Sequence, residues 1–324
     1  MKKWLKTSLK VIAAILIIVI AISITYILIN SNKFADVLIH NMHEERMARY
    51  NNDPDIMNYH LDSLLRKHKL TSYEEIWLMS QDSFKLESIY FPSNNGAAII
   101  LLHGYKSYRF DNLALTAAEM FVRNGYGVIM TMRRAHGNSD GEVITFGKNE
   151  YFDIEATYQY LINKPEVKID KIGVFGQSMG GALGILYTAE NSNIKAVVAD
   201  CPYDSFDNTL GVSVEKFTGL PAFPFANIIL FFMEKKLGFK LKEYDPVNSI
   251  SKISPRPVFI LTGGKDDSVN PSGGQNLVDA AGEPCEYWYD PEVEHCDFRY
   301  DYPYEFENRI IGYFNNYMFP LKHK

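Results

Sequence analysis

Three residue types in this 324-residue chain have the chemistry and spacing of nucleophilic acyl transfer. Gly176-Gln177-Ser178-Met179-Gly180 is a G-x-S-x-G stretch between the β-favouring apolar run 172–175 and a small-residue helical pattern. Strand, tight turn and helix in that order expose a serine hydroxyl above a sheet and aim a helix N-terminus at a developing oxyanion. Glycine is needed on both sides of the serine because backbone crowds such a turn. A serine hydroxyl is a poor nucleophile at neutral pH. It needs a base, and the base needs a carboxylate to hold one tautomer. His295 is the candidate base: beyond the serine motif the only other histidine is His323, in the charged tail. Asp266, in the loop 263–271, is the candidate acid, and the order Ser178, Asp266, His295 is one that such sites use. Asp267 beside it and Asp200 at the end of an earlier apolar run remain alternatives. The candidate oxyanion donors are the backbone N–H groups of Met179, directly after the serine, and Tyr105, in the loop after the run 97–102. His103 reads as a turn-stabilising residue.

These residues must be placed by elements far apart in the chain. Continuous apolar runs at 97–102, 127–132, 172–175, 196–199 and 257–262 read as strands buried on both faces. Segments at 112–123, 151–161, 272–281 and 304–317 have helical spacing, and 285–289 is the last strand. The alternation predicts a parallel sheet flanked by helices, with its chemistry at the carboxyl ends of the strands. Residues 74–91 alternate as strand material and end in the turn 92–96. Segment 203–249 breaks the rhythm. It carries Phe206, Phe217, Phe223, Phe225, Phe231, Phe232 and Phe239, and its apolar run 222–233 is too short to span a bilayer. It reads as a cap insertion that supplies an apolar substrate wall, with a helix merely packed on the body and a contact with the membrane surface as the alternatives.

Residues 11–29 form an unbroken run without charge, about 28 Å long as a helix, close to the hydrocarbon thickness of a bilayer. Lys2, Lys3, Lys6 and Lys10 precede it and only Lys33 follows closely, which sets the N-terminus in the cytoplasm and the rest outside. A cleaved signal peptide would have a small-x-small site after a shorter core, and 27–32 has none. The expected layout is an anchor at 1–31, a solvated helical spacer at 32–73 and a catalytic domain at 74–324 with its cap at 203–249. The spacer holds His40, His43, His60 and His68 at spacings that match no usual metal set. A net charge of −6 argues against a nucleic-acid partner. Three cysteines, Cys201, Cys285 and Cys296, are too few and too scattered for a disulfide framework, and Cys296 reads as an idle thiol despite its place beside His295.

Leu102-His103-Gly104, the G-x-S-x-G stretch, Gly263-Gly264-Lys265-Asp266-Asp267-Ser268-Val269 and His295 together resemble the α/β-hydrolase superfamily from about residue 84 to the C-terminus. Arg134-Ala135-His136-Gly137-Asn138-Ser139 is similar to the loop that commonly precedes the helix before the serine strand. More narrowly, the chain resembles bacterial membrane-anchored hydrolases related to dienelactone hydrolases and prolyl-oligopeptidase-type peptidases. The resemblance implies an α/β-hydrolase fold and a Ser178–His295–Asp266 triad. Met132 stands where many relatives carry an aspartate, and Thr262 replaces a frequent histidine. The expected activity is hydrolysis of a carboxylic ester through an acyl-enzyme, without metal or organic cofactor. Alternatives are a peptidase of prolyl-oligopeptidase type, an acyltransferase or thioesterase on the same residues, and a non-catalytic binding protein on a hydrolase scaffold. The expected partners are a small ester or peptide substrate and the lipid bilayer.

Overall fold

The computed structural model describes residues 2–48, 54–107 and 110–320, with the side chains of residues 2, 3, 5, 6, 54–60, 112 and 217 left out of the description. Residues 49–53 of the expected spacer, the side chains of Lys2, Lys3, Lys6, His60 and Phe217, and His323 therefore lie outside the described residues. Helix α1 (Lys2–Ile39) leads into α2 (His43–Ala48) and α3 (Pro54–Lys67). The sheet and its helices then follow as β1 (Glu74–Met79), β2 (Lys85–Phe91), β3 (Ala98–Leu102), α4 (Asn112–Arg123), β4 (Gly127–Thr131), α5 (Glu150–Ile162), β5 (Ile172–Gln177), α6 (Met179–Glu190) and β6 (Val197–Asp200). The cap is α7 (Phe206–Thr218) and α8 (Ala222–Leu237), after which come β7 (Val258–Gly263), α9 (Ser272–Ala280), β8 (Cys285–Asp290), α10 (Phe298–Asp301) and α11 (Pro303–Met318).

The strands form one eight-stranded sheet in the order β1-β2-β4-β3-β5-β6-β7-β8. From β4 to β8 all pairings are parallel, and β1 and β2 are antiparallel. The segment 74–91 is thus two strands of a hairpin, Glu74 opposite Tyr90 and Met79 opposite Lys85, and not one strand. Strands β3 to β7 are buried along their whole length, as their unbroken apolar runs require when helices cover both faces. One core lies between the sheet and α5, α6 and the cap. The other lies between the sheet and α3, α4 and α11. The switch in strand order, with β3 between β4 and β5, opens the crevice above the carboxyl ends of β3 and β5 where a ligand can sit.

The N-terminal segment departs from the solvated spacer that its composition suggests. Helix α1 does not end at residue 29 but runs on to Ile39. Through the apolar stretch it is exposed on every face, with Ile12, Leu16, Ile18 and Ile22 each about 60% accessible, and none of its most apolar window is covered by the rest of the protein. Its last turns behave in the opposite way: Ser31, Ala35 and Ile39 are buried, and the helix packs on α8. The chain that follows is bonded to the body. Asn41 N donates to Glu142 O at 2.8 Å, Ile144 N donates to Ile39 O at 2.8 Å, and buried Arg46 donates to the carbonyls of Asn41, Gly137, Ser139 and Gly141. In α3, Leu61 and Leu65 are buried, and His68 just beyond it lies 2.7 Å from Glu119 on α4. Asn41, Arg46 and His68 thus meet carbonyls and a carboxylate of the domain, so the polarity of these residues does not mean solvation.

The turn between β5 and α6 is the tightest point of the fold. A Cβ on Gly176 would lie 2.2 Å from Gly180 O, and one on Gly180 would lie 2.2 Å from Leu102 O and 2.5 Å from His103 O. These neighbours are backbone atoms of α6, of the end of β3 and of the residue after it, which cannot yield without shifting the helix on the sheet. Gly180→Ala is expected to cost on the order of 3 kcal/mol, a fall of about 6–12 °C in the midpoint of thermal unfolding. An unchanged melting curve would show that the crossing of α6 over the end of β3 is looser than the geometry requires.

Candidate active site

Ser178 occupies the turn with φ 54° and ψ −122°, a conformation that costs a non-glycine residue about 1–3 kcal/mol. Its N–H donates to Asp200 O at 2.8 Å, and its carbonyl accepts from Gly181 N and Ala182 N in the first turn of α6. The turn is therefore held from both ends, by the neighbouring strand and by the helix it starts. Met179 is the first residue of α6, where a backbone N–H has no acceptor within its own helix. The loop after β3 closes on the serine: a Cβ on Gly104 would be 3.7 Å from Ser178 Cβ. Tyr105, Met179 and Ser178 all line one cavity of about 370 Å3.

His295 lies in the loop after β8 and lines the same cavity. Its Nδ1 is 2.6 Å from Asp266 Oδ2, and the carboxylate is 2% exposed. The other oxygen of Asp266 accepts from Ser268 N at 2.9 Å and Val269 N at 2.8 Å, so the carboxylate is aimed by its own loop. Two glycines bring the acid loop and the histidine loop together. A Cβ on Gly263 would lie 2.4 Å from Val293 O, and one on Gly264 would lie 2.6 Å from Pro291 Cα. Gly264 N donates to Asp290 O at 2.7 Å and Lys265 N to Val293 O at 3.0 Å across that contact. The Ser178 hydroxyl makes no hydrogen bond to His295 here, a gap that substrate-free sites often close only when substrate binds.

The two alternative carboxylates are engaged elsewhere. Asp267 is on the surface, paired with Lys216 at 2.8 Å. Asp200 is buried and paired with Arg299 at 2.6 Å. That arginine also donates to Leu113 O at 2.8 Å and Cys296 O at 3.3 Å, and so ties the ends of β6 and the histidine loop to the start of α4. No periodic or motif signal marks Arg299 in the sequence. His103 holds its loop as expected: Nδ1 is 2.9 Å from Gly104 O, and Nε2 accepts from Arg133 N at 3.2 Å. Burial and the nearby Arg133 guanidinium hold His103 neutral, well below the ordinary histidine range, and the same causes push His136 down to about 3. Cys296 and Cys201 are free, buried neighbours, with Cys296 N donating to Cys201 Sγ at 3.3 Å. Their sulfurs and a nitrogen of His295 lie within 4.8 Å of one another. Mutual hydrogen bonding and burial push the Cys296 thiol well up, which keeps it protonated, and His295 Nδ1 is already taken by Asp266.

The cavity walls are apolar, but not for the reason the phenylalanine count suggests. Phe206 and Leu210 of α7, Met233 of α8 and Phe146 line it. Phe223 and Phe231 point outward, 77% and 57% exposed. Leu38 of α1 completes the wall, a contact that nothing in the sequence announces.

A mostly parallel eight-stranded sheet, a strained serine at the β5–α6 turn and a histidine–carboxylate pair after the last strands define an α/β hydrolase. Two family models match: the X-Pro dipeptidyl-peptidase (S15) family over residues 42–218 and the prolyl oligopeptidase family over residues 144–319. The chain belongs to the α/β-hydrolase superfamily, in the branch that holds these two peptidase families. It is similar to the Bacillus subtilis protein YqkD, 26% identical over 235 residues that cover 69% of this chain and 76% of that one. The thiohydrolase aneE of Aspergillus aculeatus is 24% identical over 251 residues, covering 60% of this chain and 78% of the relative. Among solved structures, the Pyrococcus furiosus esterase Pf2001 superposes with a TM-score of 0.66 at 25% identity, covering 78% of this chain and 96% of the esterase.

The geometry separates the three carboxylates by their expected mutants. Asp266→Asn should lower kcat on an ester substrate by about 10^4-fold, because the histidine loses the partner that fixes its tautomer. Asp267→Asn should change kcat by less than about 2-fold. Asp200→Asn should act on stability instead, costing about 3–5 kcal/mol by leaving Arg299 buried without its counter-charge. Steady-state kinetics with thermal melts checks all three, and a larger kinetic loss for Asp267→Asn than for Asp266→Asn would contradict the assignment.

Proposed function

We propose that this chain is a serine hydrolase of carboxylic esters, anchored in a membrane by α1 with its catalytic domain outside the cytoplasm. The observation that carries this reading is the 2.6 Å contact between His295 and Asp266 on the cavity that Ser178 lines. Ser178 Oγ attacks the ester carbonyl while His295 takes its proton, and the N–H groups of Tyr105 and Met179 receive the oxyanion. Collapse expels the alcohol, protonated by His295, and leaves an acyl-enzyme. Water, deprotonated by His295, then releases the acid and restores Ser178. Asp266 orients the imidazole and stabilises its charged form. Strain at Ser178 keeps the hydroxyl raised above the sheet before substrate arrives.

The anchor reading draws on the apolar stretch of α1, which no protein surface covers, and on the four lysines before it. Retention of the helix is supported by its continuity, since 27–32 lies inside the unbroken helix Lys2–Ile39 and offers no exposed loop to a processing enzyme. The family models favour a second reading, a peptidase. Among the described residues that line the cavity, however, none is an aspartate or glutamate, so a peptide's terminal ammonium would find no counter-charge there. Apolar walls around a neutral carbonyl fit an ester or thioester better.

A fluorophosphonate probe should label the wild-type protein and not Ser178→Ala, and the same substitution should lower turnover of p-nitrophenyl esters at least about 10^4-fold. Equal labelling of both proteins would remove Ser178 as nucleophile, and faster cleavage of aminoacyl anilides than of esters would replace the ester reading by the peptidase one.

A further inference from the structure

The end of the anchor helix is built into the cavity. Leu38 forms part of its wall. The phenol of Tyr105 donates to Leu38 O at 2.6 Å, and Lys106 Nζ donates to Val37 O at 2.6 Å, so the loop that carries one candidate oxyanion donor is bonded to the last turn of α1. Asp36 pairs with Lys236 at 2.8 Å and secures the same turn to α8, whose Met233 also lines the cavity. A tether that served only to hold an enzyme near a surface would not need to contact the site.

The helix also sets a height. Leu38 stands nine residues beyond Ile29, the last residue of the apolar run, which is about 14 Å along the axis. The polar zone of a bilayer leaflet extends about 5–8 Å beyond the hydrocarbon. A helix tilted by about 20° brings the cavity only slightly lower. The cavity therefore sits just above the headgroups, within reach of an amphiphile that rises part of the way out. Each methylene that leaves the hydrocarbon adds to the cost of rising, and a second chain doubles it. A cavity of about 370 Å3 is at the small end for ligand sites, which leaves space for part of one chain. Beside α1, the cap helix α8 leaves Phe231 uncovered, and Phe223 at its start is 77% exposed, giving apolar surface for a chain in transit.

We infer that the substrate is a single-chain acyl ester drawn from the bilayer that holds α1, with the last turn of α1 forming the membrane-side wall of its route to Ser178. The inference rests on the serine-hydrolase reading and adds the source and shape of the substrate. Hydrolysis adds one water across the acyl C–O bond and releases a fatty carboxylate, a proton and the headgroup alcohol.

The test uses the full chain reconstituted in phosphatidylcholine vesicles, with palmitoyl lysophosphatidylcholine in the same bilayer and p-nitrophenyl acetate in the water as parallel substrates. Seven polar, helix-forming residues inserted between Asn30 and Ser31 lift the domain by about 10 Å with nearly the same helix phase, and leave residues 31–39 in place. The expected result is hydrolysis of the lysolipid by the wild type, a loss of about 10-fold or more in the insertion variant, and p-nitrophenyl acetate turnover equal within about 2-fold. If seven residues abolish p-nitrophenyl acetate turnover, a four-residue insertion that lifts the domain by about 6 Å takes its place. Lysolipid turnover indifferent to the lift, or absent while p-nitrophenyl acetate is cleaved, overturns the inference and leaves the hydrolase reading intact. No turnover of either substrate, with no fluorophosphonate labelling, overturns the hydrolase reading and the inference with it.

Discussion

The backbone crossing at the β5–α6 turn constrains everything around it. Helix α6 starts so close to the end of β3 that Gly180 touches the carbonyls of Leu102 and His103, and Gly176 touches Gly180. Only chain without side chains fits there. In return, Ser178 is held with a positive φ, and its hydroxyl is raised into the cavity while the first N–H groups of α6 point the same way. The loop after β3 is drawn against the serine by the same closeness, which brings Tyr105 beside Met179. One steric fact thus sets the position of the candidate nucleophile and of both candidate oxyanion donors.

The histidine side is organised by hydrogen bonds more than by sterics. Asp266 is aimed by two backbone N–H groups of its own loop, and the loop is sewn to the histidine loop by Gly264 and Lys265. Beneath them the buried Asp200–Arg299 pair joins β6, α4 and the residue after His295. Removing two charges from water is costly, and such a pair is tolerated where its geometry fixes something. Here it fixes the base of the loop that carries His295. His103 and His136, both held neutral, support the opposite loop as hydrogen-bonding groups and not as acids or bases.

Helix α1 changes its role along its length. Its most apolar window is uncovered by the rest of the described protein, and its last two turns are a packed part of the domain. The change of surroundings comes without a break in the helix, since nothing between Asn30 and Ile39 interrupts helical backbone. A continuous helix of this kind fixes the apolar run relative to the cap and to the loop of Tyr105, which a flexible linker would not do. The polar segment that follows, anchored by Arg46 and Asn41 on the carbonyls of residues 135–141, closes the same side of the domain.

Short-range pattern was sufficient for much of this protein. The G-x-S-x-G turn, the alternation of buried strands with amphipathic helices, the last histidine after the last strand and the apolar N-terminal run all depend on neighbours within one element, and the sequence alone determined the α/β-hydrolase fold from them. Tertiary structure decided what depends on residues far apart. Asp266, Asp267 and Asp200 are equally acidic on paper, and only the packing of one loop on another sends the first to His295, the second to Lys216 and the third to Arg299. The phenylalanines of the cap announce apolar surface but not its direction, so Phe206 faces the cavity while Phe223 and Phe231 face outward. Polar residues 32–70 suggest solvent because composition does not reveal which carbonyl or carboxylate a side chain will meet. The place of Leu38 in the cavity wall has the same cause: a contact between the first helix and loops more than sixty residues away exists only once the sheet has brought them together.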